Sequence, residues 1–186
     1  MTSNHIDLGT VLRQTLSANL YSNLGTRPTG RAVRTQIELM LSATTARDRV
    51  LTVIDFSHVS MIDFSCADEV IAKLLLAQAG GEERETYLVF RGMTDHHWPS
   101  IEQVLGGHAL ALVVESGSGV ELMGVLDERE RRAWNAIKRR GSVTAAQLAG
   151  ELGEPEAAMR GALDGLWRRR LIMRHHHTYR PVGTVS

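Results

Sequence analysis

Two aspartates and a serine are the residues of this chain with the clearest potential for regulatory chemistry. The stretch VIDFSHVSMIDFS places Asp55 at the end of an apolar run, and places Asp63 and Ser65 directly before a helical pattern. A phosphate on Ser65 would meet unpaired N–H groups at a helix start and would add nearly two negative charges to a partner surface. Ser65 and Asp68 also fit the pattern of a helix N-cap. The sequence leaves both roles open.

Strand and helix patterns alternate through the first two thirds of the chain. The apolar runs 50–56, 86–90 and 109–115 predict strands, and helical spacing predicts helices over 65–79, from Pro99 to Leu105, and from Thr29 or Gly30 to Leu41. Residues 6–24 fit either a helix or an edge strand. Alternation of this kind predicts an α/β sheet domain.

The pattern changes after the glycine- and serine-rich segment ESGSGVELMG (115–124). Capping boxes at Asp127-x-x-Glu130 and Thr144-x-x-Gln147 open two helices, and Pro155 begins a third that runs to about Arg170. Two short apolar segments then flank His175-His176-His177 and predict a hairpin. We therefore expect a domain at 1–118, a linker at 119–126, and a winged helix-turn-helix domain at 127–186.

The order of strand, M-I-D-F-S and helix resembles the STAS domain, found in sulfate transporters and anti-sigma factor antagonists, over roughly residues 15–122. Ser65-Cys66-Ala67-Asp68-Glu69 is similar to a STAS-like family with a Ser-x-Ala-Asp-Glu motif. The resemblance implies an α/β fold with a STAS-like mixed sheet and helices, followed by a small winged-helix (α+β) domain. It also implies that Ser65 is phosphorylated and that Asp55, Asp63 and Ser65 form a partner surface for a histidine-kinase-like ATPase.

Three residues close to Ser65 depart from that pattern or oppose phosphorylation. Cys66 stands where the family usually has glycine. Asp68 and Glu69 lie in the first helical turn, where like charge would repel a phosphate. A helix start lowers a thiol pKa, which would favour a redox-sensing Cys66, but the same two acids oppose that shift.

The two parts of the chain carry opposite charge. Residues 1–125 have a net charge of −5 and residues 126–186 a net charge of +5. This asymmetry indicates either that the basic part binds nucleic acid or that complementary halves pack together. For double-stranded DNA, Arg160 is the expected base reader and the run 168–170 a phosphate clamp. The candidate DNA-binding residues are Thr144, Gln147, Arg160, Arg168, Arg174, His176 and Arg180.

Enzyme motifs are missing from the sequence. It contains no P-loop, G-x-G-x-x-G turn, HExxH or nucleophile–base pair, so we expect neither an enzyme nor a cofactor. Three consecutive histidines cannot all face one ion, so we expect no metal there. We expect the loop Asp95-His96-His97-Trp98 to face a partner.

The single cysteine and the lack of a long apolar run predict a cytoplasmic protein that does not bind membranes. The sequence thus predicts a homodimeric transcriptional regulator in which a STAS-like domain controls a winged helix. The alternative is a partner-switching protein, resembling anti-sigma factor antagonists, that uses both domains to bind proteins.

Overall fold

The computed structural model describes residues 1–15, 23–43, 49–80, 85–117 and 119–183. A five-stranded mixed sheet with strand order β1-β3-β5-β6-β7 forms its centre. The first four strands are parallel and the last is antiparallel to β6. The strands of this sheet are β1 (Thr2–Asp7), β3 (Arg49–Asp55), β5 (Glu85–Arg91), β6 (Ala111–Ser116) and β7 (Gly119–Gly124).

The helices before β7 cover one face of this sheet. They are α1 (Leu8–Thr15), α2 (Arg27–Ala43), α3 (Phe64–Ala67), a π-helical segment (Asp68–Ala72), α4 (Lys73–Gln78) and α5 (Trp98–Gly107). Their apolar residues pack against alternate strand residues such as Ile54, Phe90 and Leu112, because neighbouring side chains of a strand point to opposite faces. Short strands β2 (Asn23–Leu24) and β4 (Met61–Ile62) pair in parallel beside α3. The prediction of an α/β domain is confirmed.

Three features of this part differ from the sequence-based prediction. Strand β1 was not predicted, because it is a polar edge strand with one buried residue, Ile6. Helix α2 begins at Arg27, with Pro28 in its first turn, rather than at Thr29 or Gly30. Most of the predicted linker is strand β7, which begins at Gly119 and pairs with β6 from Ser116 onward.

The C-terminal unit (residues 126–183) contains three helices and a small sheet. Its elements are α6 (Glu128–Arg140), β8 (Val143–Thr144), α7 (Ala145–Leu152), α8 (Glu156–Arg168), β9 (Ile172–His175) and β10 (Thr178–Pro181), with strand order β8-β10-β9. Both predicted capping boxes are present, and Gly141 and Gly153 follow the ends of α6 and α7 with positive φ. The capping chemistry therefore defined these helices correctly.

The second face of the central sheet packs against the C-terminal unit. Leu51, Tyr87 and Val113 from the sheet share one apolar cluster with Ile137 and Leu163 from the helices. Polar contacts also join the two parts: Lys138 lies 3.7 Å from Glu121, and the Arg49 guanidinium donates to the Arg174 carbonyl. No helix among the described residues is long and apolar enough to cross a membrane.

Candidate nucleic-acid interface and Ser65 surface

A groove of about 320 Å³ lies on the C-terminal unit, where three of its elements meet. The start of α7, the side of α8 that carries Glu156, Arg160 and Asp164, and the hairpin between β9 and β10 form its walls. Of the predicted DNA-binding residues, Thr144, Arg160, Arg174 and His176 line it, whereas Gln147, Arg168 and Arg180 do not.

Thr144 and Gln147 are occupied by the capping of α7. The Thr144 hydroxyl accepts from the Gln147 backbone N–H at 3.2 Å, and the Gln147 side chain accepts from the Thr144 N–H at 2.8 Å. Their hydrogen bonds stabilise the helix start, which leaves them less able to contact DNA than the sequence indicated.

Arg160 forms an ion pair with Glu156 one turn earlier on α8. Nη2 of Arg160 lies 2.5 Å from Oε1 of Glu156, and both side chains are exposed. The sequence pattern predicts Arg160 as a base reader, and the structure adds Glu156 as its ion-pair partner. The i,i+4 spacing that brings the two together is visible in the sequence, and it is the signal that could have identified them as a unit.

Asp164 and Trp167 of α8 hold the hairpin in place. The Tyr179 hydroxyl donates to Asp164 at 3.1 Å, while the Arg174 guanidinium lies 3.6 Å from the Trp167 ring centroid and 3.7 Å from Asp164. Burial and the neighbouring Asp164 raise the pKa of Tyr179, so the phenol stays protonated as a donor. Arg174 is thus committed to packing on α8, although one side of it faces the groove.

His176 and His177 form the two-residue turn of the hairpin. His176 has a φ of 53°, and its ring contacts the His175 ring edge-on at 4.4 Å. Strand pairing places Thr178 opposite His175. Among the described residues, no group of three or more His, Cys, Asp or Glu side chains could hold a metal ion.

The arginine run at 168–170 does not form the predicted phosphate clamp. Arg170 is buried, and its guanidinium lies over the Tyr87 and Trp167 rings, 5.9 and 5.6 Å from their centroids. Arg169 turns back to Glu130 at 3.1 Å and donates to the Val125 carbonyl. Only Arg168 is exposed, because the chain leaves the helix here and turns into the interface with the sheet.

Acidic residues near α8 are neutralised within the unit. Glu154 lies 3.2 and 3.1 Å from the guanidinium groups of Arg129 and Arg132. Arg168 and Arg180 form no ion pair with any of the described residues, and both are exposed. Arg168 and Arg180 therefore place two unpaired positive charges on the surface of the C-terminal unit.

The helix at Ser65 is capped by a different residue from the one predicted. Asp63 is the N-cap, because its carboxylate accepts from the Cys66 backbone N–H at 2.7 Å. The helix consequently starts at Phe64, and Ser65 lies in its first turn with its hydroxyl donating to Asp63 at 2.9 Å. Ser65 is not the cap.

Asp68 and Glu69 are turned inward, where basic side chains neutralise them. Glu69 is fully buried and contacts Arg27, Arg34 and Lys73 at 3.1, 3.2 and 2.5 Å. Asp68 lies 2.7 Å from Arg27 and 2.8 Å from His108. The expected repulsion between these acids and a phosphate on Ser65 is thus largely offset.

Asp55 is buried rather than exposed on the predicted partner surface. Only 7% of it is exposed, and its carboxylate contacts Arg91 at 2.8 Å and His5 at 3.1 Å. Burial raises the pKa of Asp55, but hydrogen bonds from Ser57, Arg91 and His5 outweigh burial and hold this pKa well below its usual value. Asp55 stabilises the ends of the strands and is not available to a partner.

Cys66 and His97 are both buried. Burial raises the pKa of the Cys66 thiol to about 11, and Sγ donates to the Thr26 carbonyl at 2.8 Å. His97 accepts from the Thr94 N–H at 3.0 Å, so its Nε2 carries the proton and donates to the Val59 carbonyl at 2.9 Å. The loop at 95–98 therefore anchors itself to the core instead of presenting His97 to a partner.

Two large apolar side chains flank Ser65 on the surface. Met61 is 48% exposed and Phe64 is 41% exposed. The sequence indicated the polar residues of this surface but not these two, because apolar residues at a strand and a helix start are usually buried.

Comparison of the sequence with models of known protein families found no match, and comparison with curated proteins also found none.

Proposed function

We propose that this chain is a transcriptional regulator in which a STAS-like sheet unit controls a winged-helix unit that binds double-stranded DNA. The observation that carries the proposal is the groove at which α7, α8 and the β9–β10 hairpin meet. In a winged helix the second helix of the helix-turn-helix enters the major groove. The element order α6-β8-α7-α8-β9-β10 supports α8 in that role.

The distribution of charge supports the same assignment. Arg168 and Arg180 are exposed cations without ion-pair partners among the described residues, and they are suited to phosphate contacts, which supply most of the affinity for DNA. Arg160 lies on α8 between the start of the helix and Arg168. A homodimer would let two copies of α8 read half-sites about 34 Å apart.

Selection from a random-sequence duplex pool, at about 50 and about 200 mM salt, tests the proposal. We expect an enriched motif that persists at the higher salt, because base contacts do not depend on released counterions. Arg168→Ala should weaken binding to all sequences about equally. It should also reduce the slope of log affinity against log salt concentration by about one. Arg31→Ala is the matched control, since Arg31 is an exposed arginine on α2. Binding that enriches nothing and vanishes with salt would refute DNA reading.

The exposed Met61 and Phe64 favour a second candidate function, that of a partner-switching protein. Together with Asp63 and Ser65 they form the Ser65 surface, which is partly apolar and carries one hydroxyl. In this alternative a histidine-kinase-like ATPase binds the Ser65 surface and phosphorylates Ser65. The negative charge of the phosphate then causes the ATPase to dissociate. Ser65→Asp should then abolish binding that Ser65→Ala retains. Equal binding by both variants would exclude this switch.

A further inference from the structure

The Glu156–Arg160 ion pair has a hydrogen-bonding pattern that matches one type of base pair. In the major groove a G·C pair presents the acceptors N7 and O6 of guanine and then the N4 donor of cytosine, whereas an A·T pair presents acceptor, donor and acceptor. The pair on α8 offers the donor fork of a guanidinium beside a carboxylate acceptor, with Nη2 and Oε1 2.5 Å apart. O6 and N4 are also neighbours, because they hydrogen-bond to each other at about 2.9 Å.

We propose that Glu156 and Arg160 act as a unit that reads one G·C base pair, an inference that rests on the proposed DNA-binding function. Arg160 donates to N7 and O6 of guanine while Glu156 accepts from N4 of cytosine. Both side chains line the groove and both are about half exposed. Glu156, whose negative charge alone would disfavour DNA near the start of α8, contacts the cytosine of the base pair in this arrangement.

The surface around the pair permits close approach to DNA. Ala157 and Gly161 are exposed beside it on α8, and a Cβ added to Gly161 would meet no atom within 4 Å. Small side chains at these positions let the helix backbone approach the base edges. Arg168 and Arg180 are exposed cations outside the groove lining, as phosphate contacts require.

Asp164 has a different role in this arrangement. Oδ1 of its carboxylate accepts from Tyr179 and faces Arg174, and these contacts fix the hairpin against α8. Asp164 is a positioning residue that sets the distance between the hairpin and the Glu156–Arg160 pair.

Binding constants for the selected duplex and its single-base-pair variants test this inference. For the wild-type chain, replacing one particular G·C pair by A·T should weaken binding roughly 5- to 150-fold. Arg160→Ala should reduce that ratio to near one. Glu156→Ala should lower the ratio as well, and should raise the affinity for unrelated duplexes because a negative charge near the phosphates is lost. Arg31→Ala should leave the ratio unchanged.

The outcomes separate this inference from the function on which it rests. An exposed i,i+4 ion pair contributes little to stability, so both variants should keep the wild-type thermal midpoint. An enriched motif in which no G·C preference depends on Glu156 or Arg160 would overturn the inference and leave DNA reading intact. A pool in which nothing is enriched would overturn both.

Discussion

A carboxylate, and not the neighbouring hydroxyl, organises the start of the helix that carries Ser65. Both Asp63 and Ser65 are residue types that cap helices, and both precede the apolar helical pattern. The choice between them depends on the backbone, since Asp63 is extended and hydrogen-bonded into the β2–β4 pair through Leu24. A tertiary contact of this kind is not visible in a local pattern, so the sequence placed the helix start within one residue but indicated the wrong capping residue.

Substitutions at these two positions should differ in their cost. Asp63→Ala removes the acceptor of the Cys66 N–H and should lower the free energy of unfolding by about 0.5–2 kcal/mol. Ser65→Ala removes only a hydrogen bond to the cap and should cost less. Urea unfolding of both variants measures the difference. A larger loss for Ser65→Ala would mean that the serine is the structural residue.

Cys66 should be unreactive in the folded protein. Its thiol is buried and its pKa is raised to about 11, so little thiolate, the nucleophilic form, is present near neutral pH. Iodoacetamide at pH 8 should modify Cys66 far more slowly in the native protein than in urea. Equal rates in the two states would contradict the buried placement.

At the scale of elements, ion pairs join α2 to the π-helical segment. Arg27 and Arg34 of α2 reach Glu69, and Lys73 approaches the same carboxylate from α4. The π-helical turn at 68–72 carries Asp68 and Glu69, and such turns often occur at functional positions. Periodicity predicted a helix over this range but could not indicate the wider turn, because that turn changes the hydrogen bonding and not the apolar pattern.

The charge network predicts a loss of stability in acid. Burial raises the pKa values of Asp68 and Glu69, but the ion pairs outweigh burial and hold both below their ordinary values of 3.8 and 4.5. Because the unfolded chain binds these protons at higher pH than the folded chain, stability is present above about pH 4.5 and is lost as pH falls. Glu69→Gln should lower stability at pH 7 and flatten its decline between pH 5 and 3. Denaturant titrations across this range measure the slope, and an unchanged slope in the variant would contradict the assignment to Glu69.

Buried His97 adds to the same trend at higher pH. Burial lowers the pKa of His97 below 6.5, so the neutral ring stabilises the fold above that pH and the contribution is lost as pH falls. His97→Gln should therefore reduce the change in unfolding free energy between pH 7 and pH 5. If the wild type and the variant lose the same free energy over that range, His97 does not titrate as assigned.

Elements with local signals and strands with continuous apolar runs were predictable, whereas polar strands defined only by pairing were not. The capping boxes at Asp127 and Thr144 fixed α6 and α7 because each is a local hydrogen-bond pattern. Strand β1 pairs with β3, which is distant in the sequence, and β7 pairs with its sequence neighbour β6. Both β1 and β7 are largely polar or exposed. Glycines such as Gly117 and Gly119 are common in hairpins and in linkers. Composition alone therefore indicated a linker where β6 and β7 form a hairpin.

At the scale of the whole molecule, the sheet is buried on both faces. Helices cover one face and the C-terminal unit covers the other through a shared apolar cluster. The ion pair between Lys138 and Glu121 contributes little to this packing, because it is long and partly exposed. The sequence predicted the two element patterns but not their packing, since an apolar strand residue does not indicate which partner covers it.

The shared cluster predicts that both units unfold together. In a Trp98→Phe variant the remaining tryptophans, Trp134 and Trp167, lie in the C-terminal unit, so fluorescence reports on that unit while far-UV circular dichroism reports on both. Urea transitions from the two probes should coincide, as two-state unfolding requires. Separate midpoints would contradict a common core.

The most direct test of the central claim, that the groove between α7, α8 and the hairpin binds DNA, is hydrogen exchange of the full chain with and without mixed-sequence duplex at low salt. Even binding without sequence preference should cover this face. We predict slower exchange in the first half of α8 and in the turn at His176 and His177, with no change around Ser65. Unchanged exchange in the groove, or protection only at Met61 to Ser65, would contradict the account.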